Sequence, residues 1–122
     1  GGAGGLGRVV GRWLGRTLGA KLVLTGRSPE ADPEALAELE ADAKVLYLQA
    51  DVADEADMRR VRDEARIAFG PVAGIFHCAG LIRDKLFYLK PPEDFEAVLR
   101  PKVFGPRVLD LVFGREPLDF AV

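Results

Sequence analysis

The sequence predicts an α/β domain, a doubly wound parallel sheet with helices on both faces. Three observations carry that expectation. Short apolar runs of strand length alternate with longer stretches whose apolar residues recur at helical spacing. The turns between them are short, which makes successive strands parallel and puts the helices in the crossovers. The chain also opens on Gly1-Gly2-Ala3-Gly4-Gly5-Leu6-Gly7, five glycines in seven residues, directly ahead of a helical pattern.

In that helical pattern Leu6, Val9, Val10, Trp13, Leu14 and Leu18 fall on one side, predicting an amphipathic helix whose apolar face this row forms. Residues 21–25 form an apolar run fit for a buried strand and end at Gly26-Arg27-Ser28-Pro29. Residues 33–43 read as a short helix, with Asp32 as N-cap, Pro33 in the first turn and Leu36 and Leu39 on the inner face. Residues 45–50, apolar and partly aromatic, give the next strand, which stops at Asp51-Val52. Asp54 then caps a helix through Ala68, with Met58, Val61, Ala65 and Phe69 on one side and Gly70-Pro71 ending it. Residues 72–76 are the third strand and lead into His77-Cys78-Ala79-Gly80. After a loop over 81–90, Pro91-Pro92 introduces a helix from Glu93 with Phe95, Val98, Leu99 and Val103 inward. Pro101 and Pro106 predict a kink or local break within it. Residues 118–122 read as a strand cut short.

Composition narrows the function classes. At 122 residues, 48% hydrophobic and 30% charged, the chain is one soluble domain or a piece of one. A net charge of −2 and a pI near 5.4 lack the basic excess of a nucleic-acid binder, so no nucleic-acid partner is expected. With one cysteine, Cys78, and one histidine, His77, neither an internal disulfide nor a zinc-ligand cluster is available, and no metal is expected. A reducing, cytoplasmic setting fits the lone cysteine. No apolar run approaches the roughly 18 residues of a membrane span, so no membrane partner is expected. The first residue already belongs to the glycine loop, with neither Met nor a strand ahead of it, and residues 1–122 therefore read as a fragment of one domain.

Ligands of such a sheet sit beyond the carboxyl ends of its strands, and that rule gathers the residues of interest. Gly2, Gly4 and Gly7 satisfy G-x-G-x-x-G, the dinucleotide fingerprint, while Gly1, Gly5 and Gly7 satisfy the related G-x-x-x-G-x-G. A loop without side chains lets a phosphate approach backbone N–H groups at a helix start, where the partial charge is positive. A P-loop is excluded, because Arg8-Val9 follows Gly7 where Lys-Ser/Thr would be required. Arg27 lies 20 positions after Gly7, where an acid would accept from a ribose 2′-hydroxyl and an arginine would hold a 2′-phosphate. With Arg27 and Ser28 there and no acid before Glu30, NADP is favoured over NAD, and an S-adenosylmethionine site, which wants an acid at this place, is disfavoured. Asp51 and Val52 either contact the adenine or simply form a turn. His77 reads as a structural histidine holding nearby backbone, since no Ser or Asp stands at a triad spacing. Cys78 and Ala79 are small enough to leave room for a cofactor ribose or merely to pack the core.

Five segments in this order, 1–7, 24–28, 51–54, 76–80 and 98–105, resemble the ketoreductase domains of modular polyketide synthases, members of the short-chain dehydrogenase/reductase superfamily. The resemblance implies a Rossmann-like fold and NADPH-dependent reduction of a β-ketoacyl chain held on an acyl carrier protein, with neighbouring synthase domains in the same polypeptide. It makes Gly1, Gly5 and Gly7 the pyrophosphate loop, Arg27 and Ser28 the 2′-phosphate contacts, and Asp51 and Val52 the adenine contacts; the residues themselves add Gly2, Gly4 and Leu6 within that loop and Cys78, Ala79 and Gly80 at the strand end as further cofactor contacts. Lys102 falls on the family's catalytic lysine, whose ammonium would lower the pKa of a tyrosine phenol that delivers the proton. The competing class is a Rossmann domain that binds NADP, or nothing, and only positions its neighbours.

Three departures from the family pattern shape the expectations. The family's serine and tyrosine lie downstream of the strand begun at 119–122, so the chain by itself is expected not to catalyse. The first strand and the threonine usual before Gly1 are absent, which predicts low stability in isolation. Cys78 stands for the usual alanine of His-Ala-Ala-Gly. Beyond these, Ile82-Arg83-Asp84 occupies the place of a Leu-Asp-Asp stereochemical motif and keeps its last acid, Asp84, which points to the D-hydroxyl product. An L-configured product from the parent enzyme in chiral analysis would overturn that assignment.

Overall fold

The computed structural model describes residues 1–122 as an alternation of helices and strands. In chain order these are α1 (Gly5–Leu18), β1 (Leu22–Gly26), α2 (Pro33–Glu40), β2 (Val45–Gln49), α3 (Glu55–Phe69), β3 (Gly74–Ile75), a 3₁₀ turn (Phe87–Leu89), α4 (Pro92–Leu99), a π turn (Arg100–Phe104), α5 (Gly105–Phe113) and β4 (Phe120–Ala121). All strand pairing is parallel. β1 pairs with β2 from Leu22↔Val45 to Gly26↔Gln49, and β3 pairs with β4 through Gly74↔Phe120 and Ile75↔Ala121. The sheet is thus two ribbons, and a cleft of about 620 Å³ between them is lined by residues 21–25 on one side and 72–79 on the other.

Side-chain alternation along the strands divides the core into two faces, as a pleated ribbon must. Leu22 and Leu24 of β1 join Leu39 on one face, with Leu14, Leu36, Val45 and Tyr47 against them. Leu48 of β2 faces the other way, into a cluster with Ala50, Met58, Val61, Val112 and Phe113, and Val23 and Leu46 pack there too. Helices α1 and α2 cover the first face, α3 and α5 the second. The doubly wound α/β arrangement expected from the sequence is the one observed.

Local chemistry sets the element ends. Asp32 Oδ1 accepts from Glu34 N at 3.0 Å and Asp54 Oδ1 from Asp57 N at 3.0 Å, so both predicted N-caps are in place. Gly70 ends α3 at φ 94°, a conformation that costs glycine little. An Asp42 carboxylate on the turn after α2 takes Arg16 Nε at 2.8 Å and Arg12 Nε at 3.0 Å, and those bonds hold its pKa below the ordinary value of 3.8.

Several expectations need correction. Helix α1 turns only part of its apolar row inward: Leu14 packs on the first face and Val10 is half-buried, but Leu6, Val9, Trp13 and Leu18 are exposed, while Gly7, Gly11 and Gly15 are buried. The reason is backbone proximity. A Cβ on Gly11 would stand 2.8 Å from Leu39 Cδ2 and one on Gly15 2.6 Å from Asp42 O, so a glycine stripe lets the helix lie directly on its neighbours. In α2 it is Ala35 and Leu39 that are buried, with Leu36 at the margin. The third strand is two residues long instead of five. Phe95, Leu99 and Val103 are exposed and Val98 is only half-buried; α4 instead buries Asp94, which holds Lys85 Nζ at 2.7 Å and draws that polar face inward. The break expected at the prolines takes the form of the π turn.

Leu39, with no exposed surface, locks α2 to β1 and to the Gly11 stretch of α1. Leu39→Ala is expected to lower unfolding free energy by about 2–5 kcal/mol, read as an earlier urea midpoint of the intact domain. A midpoint unchanged from the parent would mean that α1 and α2 do not depend on this contact.

Candidate functional site at the carboxyl ends of the strands

The first helix opens with donors to spare. Gly4 is the N-cap, in extended conformation and with no side chain to offer, and Gly4 N bonds Gly1 O at 3.1 Å. No bond is donated by the backbone N–H of Gly5, Leu6 or Gly7, because the first intrahelical donor is Arg8, to Gly4 O at 2.9 Å. Three N–H groups at a helix start therefore point outward with the positive end of the helix dipole behind them. The glycines do different jobs. A Cβ on Gly7 would overlap Gly2 O, one on Gly1 would overlap Cys78 O, and one on Gly2 would lie 2.8 Å from Leu24 Cδ2. Gly5 is the exception: a Cβ there meets nothing within 4 Å, so its face is open.

The loop is tied to the end of β1. Gly1 N donates to Thr25 O at 2.7 Å and Gly2 N to the same oxygen at 3.4 Å, which places the glycine loop two residues from Arg27. Arg27 forms no ion pair, and Gln49 Nε2 donates to its carbonyl at 3.0 Å. Tyr47 OH bonds Ser28 O at 2.8 Å, fixing the turn, and burial of that phenol raises its pKa. Arg27, Gln49, Ala50, Asp51, Asp57 and Arg60 line a depression of about 360 Å³.

Asp51 sits at the tip of β2. Its Oδ1 accepts from Ala53 N at 2.9 Å, its Oδ2 meets Arg100 Nε at 3.3 Å, and its own N–H donates to Asp57 Oδ2 at 2.8 Å. That backbone N–H is the main reason the Asp57 carboxyl stays below its ordinary pKa, with Arg60 adding to it. Asp57, Arg60 and Arg100 are not among the residues the sequence singles out, because an acid and a base three apart on a helix are an ordinary surface pair. Val52 packs close to Gly105, whose Cβ would come 3.2 Å from Val52 Cγ1.

The third corner is the end of β3. His77 N donates to Val122 O at 2.6 Å, and His77 Nε2 lies 2.9 Å from Pro101 O, so the histidine does hold backbone. Cys78 is a free, half-buried thiol; Ala79 is half-buried and Gly80 exposed. Lys102 follows Pro101 on the π turn, exposed and without an ion pair or hydrogen bond. Asp84 lies exposed on the 81–90 loop, next to the anchored Lys85. Glycine loop, Arg27, Asp51, Val52, His77 to Gly80 and the turn bearing Lys102 thus share one edge of the molecule. Asp84 forms no hydrogen bond or ion pair with any of them.

Comparison with known proteins gives a consistent result. The family model described as KR domain matches residues 1–122. Tenellin synthetase from Beauveria bassiana is 40% identical over 123 residues, covering 100% of this chain, and polyketide synthase PksM from Bacillus subtilis (strain 168) is 35% identical over 123 residues, covering 98%. In both cases the chain spans only 3% of the relative's length. Among solved structures, an N-terminal ketoreductase from the macrolactin assembly line superposes with a TM-score of 0.87 at 40% identity, covering 98% of this chain and 25% of that one. A ketoreductase domain from the bacillaene assembly line gives 0.89 at 38% identity, covering 98% and 30%. A Serratia marcescens short-chain dehydrogenase/reductase, at 24% identity and 0.78, shares the fold over 94% of this chain and 47% of its own.

Proposed function

This chain belongs to the ketoreductase (KR) domain family of polyketide synthases, and from that premise we propose that residues 1–122 are the NADPH-binding part of a domain that reduces a β-ketoacyl chain to the β-hydroxyacyl product. The acyl chain is carried on an acyl carrier protein, with neighbouring synthase domains in the same polypeptide. The observation that carries the reading is the pairing, on one edge, of three unpartnered helix-start N–H groups with an arginine that no carboxylate neutralises.

The residues present fit the cofactor. Above Gly5 there is open space where a side chain would otherwise stand, so a diphosphate can reach the N–H groups of Gly5, Leu6 and Gly7 while Gly1, Gly2 and Gly4 shape the bend. Arg27 offers a planar fork of donors to a 2′-phosphate, with Ser28 beside it. Asp51 and Val52 line the adenine end, and Cys78, Ala79 and Gly80 the ribose near the reacting ring. Bound NADPH supplies the hydride. Lys102 is the catalytic cation that lowers the pKa of the proton-donating phenol contributed by the rest of the domain. From its place in the family's Leu-Asp-Asp motif, Asp84 would direct the D-hydroxyl configuration. A cytoplasmic setting suits this chemistry, and no helix here is long and apolar enough to cross a membrane.

The test is cofactor discrimination. In the intact domain, fluorescence titration is expected to show NADPH binding tighter than NADH, and Arg27→Ala to weaken NADPH by roughly 10–100-fold, the equivalent of one or two charge-assisted hydrogen bonds, with NADH little changed. Equal affinity of the parent for both cofactors refutes the phosphate role of Arg27.

A further inference from the structure

The π turn that carries Lys102 leaves one carbonyl without a backbone donor. In an α-helix Pro101 O would accept from Gly105 N, four residues on; here Gly105 N is used on Arg100 O, five residues back. The donor that a π turn would offer Pro101 O is residue 106, and that is a proline without an N–H. A carbonyl left unserved in a partly buried place is costly, so the turn needs a donor from elsewhere. His77 supplies one, its Nε2 standing 2.9 Å from Pro101 O across 24 residues of sequence.

The ring is held for this task from two further directions. Its backbone N–H is anchored to Val122 O at 2.6 Å. Gly105 lies against its edge, where a Cβ would come within 3.1 Å of Cε1 and 3.2 Å of Nε2. Because a carbonyl can only accept, Nε2 must carry the proton. Arg100, just before Pro101, is pinned to Asp51 at 3.3 Å, so the two residues leading into Lys102 are tied to two different strand ends.

We infer that His77 is a positioning residue for Lys102: by donating from Nε2 to Pro101 O it fixes the π turn, and through it the place from which the Lys102 ammonium acts. The inference rests on the catalytic reading of Lys102, and the experiment separates the two. In the intact domain, kcat and KM are measured for His77→Phe, which keeps a ring and removes the donor, for His77→Gln, which keeps an N–H at the same bond count, and for each combined with Lys102→Ala. His77→Phe is expected to lower kcat about tenfold with KM for NADPH within about twofold, and His77→Gln to recover most of the loss, a tenfold change being about 1.4 kcal/mol. In the Lys102→Ala background His77→Phe is expected to cost nothing more, since there is no ammonium left to place.

Losses that multiply independently overturn the inference, as does a His77→Phe enzyme with parental kcat. Parental kcat in Lys102→Ala alone removes the catalytic reading of Lys102 and the inference with it. Should His77→Phe fail to fold, Gly105→Ala presses on the same ring from the other side and is expected to lower kcat in the same KM-sparing way; parental kcat there overturns the inference. Independently of activity, ¹⁵N spectra of the parent are expected to show neutral His77 protonated at Nε2, and an Nδ1-protonated ring overturns it as well.

Discussion

Lys102→Ala in the intact domain is expected to lower kcat by about 10²-fold or more while leaving KM for NADPH within a few-fold, the signature of a group that acts only as charge develops. The ammonium is free for that purpose. It is exposed, it forms no salt bridge, and the turn beneath it is fixed at Arg100 and Pro101 and not by Lys102 itself, so the substitution removes charge without removing structure. A cation close to a phenol stabilises the phenolate, and its loss raises the phenol's pKa by about 1–3 units. The limb of the pH–rate profile belonging to that phenol should therefore move to higher pH in Lys102→Ala. Lys102→Arg keeps the charge but replaces a compact ammonium by a broader planar fork, and should fall between the two. An unchanged kcat together with an unchanged profile would leave Lys102 an ordinary surface lysine.

What the sequence could tell about this chain follows from how local each cause is. Asp32 and Asp54 act on N–H groups two and three residues away, and their caps were legible. The strand tips at Arg27, Asp51 and His77 were equally visible, because apolar runs ending in polar or small residues mark where a buried strand surfaces. The facing of α1 was not. Counting apolar residues favours the Leu6, Val9 and Trp13 row, but burial is decided by how near two backbones can come, and Gly7, Gly11 and Gly15 allow the nearer approach. The site's long-range ties were also hidden: Arg100 reaches Asp51 across 49 residues, and nothing in either neighbourhood announces the other. One signal was present and only half used. Prolines five apart, Pro101 and Pro106, announce a break in the helix, and they also remove the donor that a π turn would need, which calls for an outside donor such as His77.

The glycine loop yields the second large effect, and it comes as a contrast between two single methyl groups. At Gly7 a Cβ would overlap Gly2 O and lie 2.7 Å from Gly1 O, both backbone atoms that cannot swing aside. Gly7→Ala must therefore open the bend that aims the helix start, and both thermal stability and NADPH affinity are expected to fall, the affinity by about 10²-fold if two or more phosphate hydrogen bonds are lost. At Gly5 the added Cβ meets no protein atom within 4 Å, and the residue sits at the first position of α1 in a helical conformation that alanine adopts readily. Stability there is expected to hold or to rise by up to about 1 kcal/mol, because alanine gives up less backbone freedom than glycine. The same methyl occupies the space through which a diphosphate would reach the N–H groups of Gly5, Leu6 and Gly7, so NADPH affinity should fall by about tenfold or more. Calorimetric melting of both variants beside fluorescence titration with NADPH separates clearance for a ligand from packing within the loop. A Gly5→Ala domain that melts like the parent and binds NADPH equally well would mean that the diphosphate does not lie over this helix start.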